Sequence, residues 1–513
     1  MLNPSDLGLP PKFVSYRSEV KQEETILTLA KSRKRFSLLN APPGAGKSPV
    51  YISISRLLGL RTLILVGTKN LEDQLMSDFS SMGLFDIRGH SNYSCASKSF
   101  DDFGELFDFE CIAKSQGQEC GYRQDIEVAN SRDMVETNNA HWFQLAKSED
   151  PLRLGKFDLL IIDEAHSIHN DLVEAATIKL FRSVFSRFIE STPALQDSAE
   201  KWVSWAKELE PKVLRKYKEY CESGGVSKKE ILSIQNLLRS LQRIIVEVNG
   251  KEWIIQATVR GYSFTPIWGK KHAEKFLFRG IKKVILVSGT INEDTAEELG
   301  LPENDYDYLE VGSSFPVERR PFYFLPTCFV DYRLQEGELR MLVNRIDAIA
   351  SRRSNLNGII QSVSYDWAEK IYERSKMKDY LLLQTRNNRH VITDIINGKL
   401  ITPRLLLSPI VEQGYDFAGD ACRYQIILKI PRVDSRDPVI AARAKQKKGY
   451  LESLAADRIE QMYGRPNRSK KDWSETFILD SYWGRVKNNK RFHQWFRDAW
   501  KQIDSIPDPL NLS

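Results

Sequence analysis

Continuous apolar runs recur along the chain, and most of them end on polar residues that carry chemistry. Phe36-Ser-Leu-Leu39, Thr62-Leu-Ile-Leu-Val66, Phe157-Asp-Leu-Leu-Ile-Ile162 and Lys283-Val-Ile-Leu-Val287 show little sign of a polar face. Such runs predict strands buried on both sides of a parallel sheet. Residues 48–60 directly follow the first run and a glycine-containing loop, and read as a helix. Ile231, Ile234, Leu238, Leu241 and Ile245 recur at helical spacing, and Trp202 and Trp205 lie on an earlier segment. Residues 168–248 are therefore expected to be helical. Residues 88–150 are polar, cysteine-bearing and poor in strand patterns. A second alternating region runs from 296 to 513, with Asn357–Ser362, Arg404–Ser408 and Gln425–Lys429 as expected strands. The fold class this predicts is α/β: two doubly wound domains in tandem, the first carrying two insertions.

Composition changes this picture little. A chain of 513 residues has room for several domains, and a net charge of +6 permits a polyanionic partner without requiring one. No run approaches a membrane span, and Met1-Leu-Asn-Pro-Ser-Asp6 lacks the basic and apolar regions of a secretory signal, so a cytoplasmic location is expected. Cys221, Cys328 and Cys422 are scattered, whereas Cys95, Cys111 and Cys120 cluster. In a reducing compartment such a cluster means a metal or nothing, rather than disulfides.

The chemistry sits at the strand ends. After the first strand comes Asn40-Ala-Pro-Pro-Gly-Ala-Gly-Lys-Ser48. Glycines let a loop turn its N–H groups toward phosphate oxygens, Lys47 is placed for the β- and γ-phosphates, and Ser48 for Mg²⁺. Pro43, Gly44, Ala45 and Gly46 complete this nucleotide-binding loop; Ala41 stands where the strict pattern has glycine. The third strand ends on Asp163-Glu-Ala-His166. Asp163 is a Mg²⁺ ligand candidate, and Glu164 is placed to polarise an attacking water.

Together these motifs resemble superfamily 2 helicases, with a Walker A loop followed by a DEAH box. Thr68-Lys-Asn-Leu-Glu-Asp-Gln74 resembles motif Ia, Ser288-Gly-Thr290 motif III, and Gly358–Tyr365 motif IV. Ser408–Asp416 resembles motif V, and Gln461-Met-Tyr-Gly-Arg-Pro-Asn-Arg468 motif VI. Gly89-His-Ser-Asn-Tyr-Ser-Cys95 and Thr137-Asn138 are similar to the XPD/DinG subgroup. The resemblance implies two RecA-like domains with ATP and Mg²⁺ in the cleft between them. Residues 1–87, 151–167 and 249–295 would form motor domain 1, 88–150 the iron–sulphur-like insertion, 168–248 an arch-like insertion, and 296–513 motor domain 2. It implies catalytic roles for Gln461 and for the arginine fingers Arg465 and Arg468, and nucleotide contacts for Gly414, Asp416 and the Q-motif-like Gln22. Thr68, Lys69, Ser362 and Tyr365 would touch nucleic acid.

A family iron–sulphur site takes four cysteines, and this chain offers three. Asp108 stands three residues before Cys111, where a Cys-x-x-Cys pair is usual; Asp108 or His90 would supply a fourth ligand to a [4Fe-4S] cluster, and the rival reading is an insertion that folds without metal, or with zinc. The activity implied is ATP-dependent translocation on single-stranded and forked DNA, 5′ to 3′ with unwinding, by a monomer with replication or repair partners and no membrane. Two rivals remain: a motor that remodels protein–DNA complexes without processive unwinding, and an ATPase-inactive single-strand-binding regulator.

Overall fold

The computed structural model describes residues 2–93, 120–147, 153–189, 191–195, 197–222, 226–388, 390–400, 402–409, 417–466 and 472–511. Five strands come first: β1 (Phe36–Asn40), β2 (Thr62–Val66), β3 (Leu84–Asp86), β4 (Met134–Asn138) and β5 (Leu159–Asp163). Next come β6 (Ile178–Phe181), β7 (Trp253–Thr258) and β8 (Gly261–Pro266), then β9 (Lys283–Ser288) and β10 (Tyr306–Glu310). The remainder are β11 (Phe322–Cys328), β12 (Gly358–Gln361), β13 (Leu381–Leu383), β14 (Leu405–Ser408), β15 (Tyr424–Ile427), β16 (Glu475–Asp480) and β17 (Trp500–Gln502).

Among the described residues two parallel sheets form, in the orders β10-β1-β9-β5-β2-β4-β3 and β13-β14-β12-β15-β16-β11-β17. The central strands β1, β2 and β5 are buried at every position, as continuous apolar runs require when helices cover both faces. Alternate residues of each strand feed different cores. Leu63 and Leu65 join one cluster with Leu160 and Ile162, while Ile64 and Val66 join the other with Ile161 and Tyr51. Parallel pairing brings all strand C-termini of a sheet to one edge, and the polar motifs follow from that edge.

Three elements differ from expectation. β4 lies inside the region expected to lack strands, because Glu136, Thr137 and Asn138 break its apolar pattern, although Glu136 and Thr137 are fully buried. β10 pairs with β1, so the first sheet runs to Glu310, past the boundary expected at 296. Tyr306-Asp-Tyr-Leu-Glu310 is a half-exposed edge strand and lacks the apolar signature. The segment expected to be wholly helical instead mixes helices with β6, which pairs antiparallel with β8, and β8 with β7. Its helices Ala199–Glu222 and Lys228–Glu247 pack on that small sheet through Trp202, Trp205, Ile234, Leu238 and Leu241, with Phe264 from β8. No helix among the described residues is long and apolar enough to cross a membrane.

Candidate nucleotide cleft

The loop after β1 turns through two left-handed residues, Gly44 at φ 78° and Gly46 at φ 75°. A side chain at Gly46 would be strained and would meet the Gln22 amide, with Nε2 only 2.3 Å from an added Cβ. Gln22 is buried and braces this loop: its Nε2 donates to the carbonyls of Ala45 at 2.7 Å and Gly46 at 3.3 Å, and its Oε1 accepts from the Arg17 backbone at 2.7 Å. The Arg17 guanidinium donates to the Gly44 carbonyl. Both ends of the Gln22 amide are thus engaged by backbone.

Helix Lys47–Leu58 starts on the loop and aims Lys47 at the end of β5. Lys47 Nζ donates to Glu164 Oε1 at 2.9 Å. Glu164 adopts φ 50°, a left-handed conformation that a non-glycine residue avoids unless its surroundings enforce it. Asp163 is buried, and Tyr51 on the same helix donates its hydroxyl to Asp163 Oδ2 at 3.1 Å. The two carboxyls are pushed apart in acidity. Burial raises Asp163 despite the attraction of Lys47. Burial would raise Glu164 as well, but the Lys47 ammonium and the His166 hydrogen bond outweigh it and hold Glu164 well below the usual carboxylate range.

A polar chain leaves this pair. Ser288 Oγ lies 2.8 Å from His166 Nδ1 and donates to Glu164 Oε2 at 3.3 Å. Two residues on, Thr290 Oγ1 accepts from Gln461 Nε2 at 3.3 Å, which crosses from the second sheet's domain. Gly464 packs so closely on Pro43 that an added Cβ would lie 2.5 Å from Pro43 Cγ. Lys47, Glu164, Asp163, Pro43, Thr290, Gln461 and Gly464 therefore line one cleft. Arg465 follows at the end of helix Tyr450–Tyr463, half-buried. Gly414, Asp416 and Arg468 lie outside the described residues.

The donor set fits a magnesium nucleotide. It offers a loop with two left-handed glycines, a lysine that donates to the Glu164 carboxylate, and a buried aspartate held by Tyr51 of the helix that carries Ser48. Sequence reading missed Asn40 and His493. Asn40, buried at the end of β1, donates to the carbonyls of Gly289 at 3.0 Å and Ile291 at 3.1 Å, and lies 3.0 Å from His493 Nε2. His493 Nδ1 faces Glu460 at 2.8 Å. No local signal links residues 453 positions apart.

The remaining expected residues lie elsewhere. Thr68 caps helix Lys69–Phe79, and Lys69 donates to Asn92 at 2.9 Å. Ser362 is fully buried and its hydroxyl donates to the Ser364 carbonyl. Val363 beside it sits at φ 67°, and Tyr365 opens helix Tyr365–Arg374. Cys95, Asp108 and Cys111 lie outside the described residues. Cys120 is half-buried against the first domain's core, and His90 packs edge-on to Tyr122 at 5.4 Å.

Comparison with known proteins agrees with this geometry. The helicase C-terminal domain family matches residues 356–499, and the type III restriction enzyme res subunit family matches residues 15–192. No curated protein sequence matches the chain. A solved structure titled XPD helicase superposes with a TM-score of 0.59 at 16% identity, covering 96% of this chain and 100% of that one. Xpd4 of S. tokodaii gives 0.56 at 16%, covering 94% and 99%. A structure titled XPD apo gives 0.55 at 15%, covering 94% and 99%. With one family matched in each sheet's domain and the two sheets in place, the fold is that of tandem RecA-like domains, similar to the solved XPD structures.

Proposed function

We propose that the protein is a translocase on single-stranded DNA that couples ATP hydrolysis to 5′-to-3′ movement and duplex separation. The observation that supports this reading most is the Lys47–Glu164 contact, connected through Ser288 and Thr290 to Gln461 of the other domain. ATP bound with Mg²⁺ supplies the phosphoanhydride to be cleaved. Ser48 and Asp163 would hold the ion, and Lys47 would exchange its contact with Glu164 for the terminal phosphate. Glu164, freed and still anionic, would orient the attacking water, while Arg465 and Arg468 approach developing charge from the second domain. Gln22 then acts by holding the loop carbonyls.

The test is ATP hydrolysis with and without single-stranded DNA, on anaerobically purified protein beside Lys47→Ala. Expected is several-fold stimulation by DNA, with Lys47→Ala at least about 100-fold slower in both conditions. Hydrolysis that DNA leaves unchanged would reject the coupled motor, and its complete absence would favour the ATPase-inactive regulator. Iron uptake by Cys95, Cys111 and Cys120 is a separate matter, because such a metal would be structural; the iron content of the same preparation decides it.

A further inference from the structure

The second sheet carries a built surface beyond the nucleotide cleft. The loops that leave β11, β15 and β16 emerge at one edge of that parallel sheet and are gathered on one side chain. Asp480, fully buried, accepts backbone N–H groups from all three: Val330 at 3.3 Å, Ile430 at 3.0 Å and Tyr482 at 2.9 Å. This fixes an aromatic and cationic array above it. The Arg432 guanidinium stands 4.7 Å from the Phe329 ring and 5.2 Å from the Tyr482 ring, and donates to the Val330 carbonyl at 2.8 Å. Arg485 covers Tyr482 at 5.6 Å, and Arg333 covers Tyr332 at 5.0 Å.

Tyr482 leans on the second domain's core, but Tyr332 and Phe329 reach solvent. Tyr332 is 82% exposed and Phe329 39%, the cost of which folding does not recover. Arg333, Lys429, Arg432 and Arg485 outnumber the carboxylates Asp331, Glu452 and the buried Asp480 around them, and Arg436 pairs with Asp434. Flat rings interleaved with guanidinium groups match an unpaired strand, whose bases have faces to stack and whose phosphates are anionic. The edge is continuous with the strained Val363 turn, since β12 lies beside β15.

We propose that Tyr332 and Phe329, with Arg432, Tyr482 and Arg485, form a base-stacking platform for single-stranded nucleic acid. The inference rests on the translocase reading above and extends the strand's path across the second domain.

The experiment measures fluorescence anisotropy of the full chain with a labelled oligothymidylate of about 20 nucleotides, and with an abasic strand of equal length. Tyr332→Ala should weaken oligothymidylate binding about tenfold and leave abasic binding unchanged. Tyr332→Trp should restore it. Arg485→Gln should reduce the slope of log affinity against log salt by about 0.7. Hydrolysis of ATP without nucleic acid should stay at the wild-type rate in Tyr332→Ala; if it falls, the Trp variant separates folding damage from lost stacking. Equal losses on both strands, or no loss, would overturn the platform and leave the patch to a protein partner. A wild-type chain that binds neither strand and shows no stimulated hydrolysis would reject the translocase reading itself.

Discussion

The Ser288 hydroxyl has one proton and three neighbours: His166 Nδ1 at 2.8 Å, Glu164 Oε2 at 3.3 Å and the Thr290 backbone N–H, which donates to it at 3.3 Å. If it donates to the carboxylate, it must accept from the ring, which fixes the His166 proton on Nδ1. The Ser288 carbonyl also accepts from Ala41 N at 3.0 Å, at the start of the phosphate loop. Ser288 therefore sets the attitude of Glu164 and His166. Ser288→Ala should keep hydrolysis in the absence of nucleic acid within a few-fold of wild type, yet lower the nucleic-acid-stimulated rate about tenfold, the value of one hydrogen bond to a charged group. Parallel steady-state assays check this. An equal fall in both rates would make Ser288 part of the hydrolytic step instead. The Lys47–Glu164 pairing was legible because both motifs have fixed spacing and each ends a buried strand. The Ser288 link was legible only as a motif, since the hydroxyl geometry depends on β5 and β9 lying side by side.

β4 shows what an apolar pattern cannot report. Glu136 pairs in register with Ile64 on β2 and Asp86 on β3, and neither of its carboxyl oxygens has a hydrogen-bond partner among the described residues. Burial, with Asp86 and Glu72 nearby and Arg88 partly opposing, pushes its carboxyl up to about 9. A carboxyl whose folded value lies above its unfolded 4.5 contributes stability that is present below pH 4.5 and lost as pH rises toward 9. Glu136→Gln keeps the shape and removes that titration. It should stabilise the chain by roughly 2–3 kcal/mol at pH 7, and raise the thermal midpoint more at about pH 8.5 than at about pH 5.5. Scanning calorimetry across that range checks it, and a gain that does not change with pH would show that Glu136 is ionised in the fold. The same polar residues hid the strand from sequence reading. β1, β2, β5 and β9 announced themselves as uninterrupted apolar runs, whereas β10 alternates at an edge and β6 is short with Lys179 exposed, so neither shows that signature.

At the scale of the molecule, the two domains are joined by contacts that no local motif encodes. Arg491 of the second domain is 7% exposed and lies among three carboxylates. Its Nε donates to Asp294 at 2.8 Å and its Nη2 to Glu298 at 2.9 Å, both in the first domain's helix Glu293–Leu299, while Nη1 meets Asp457 of its own domain. Lys447 adds bonds of 2.8 Å to Asp294 and Glu297, and Arg443 donates to the Ile267 carbonyl at 2.6 Å and to Asn170 at 3.2 Å. Removing one partner from a buried ionic cluster leaves the others desolvated and unpaired, at a cost of about 3–5 kcal/mol. Arg491→Ala should therefore loosen the interface rather than either core: two unfolding transitions in place of one, and a larger radius of gyration in solution scattering. Wild-type chain should be nearly insensitive to salt up to about 0.5 M, because buried pairs are weakly screened. The consequence for the proposed motor is geometric. Arg491 and His493 are close in sequence, and His493 sits against Asn40 at the root of the phosphate loop, so a swing of the second domain would pivot near these residues. Loss of Arg491 should then cost the nucleic-acid-stimulated rate more than the rate without nucleic acid. A single transition at the wild-type midpoint with unchanged scattering would show that Arg491 bears no part of the domain union, and would move the pivot to the Lys447 and Arg443 contacts.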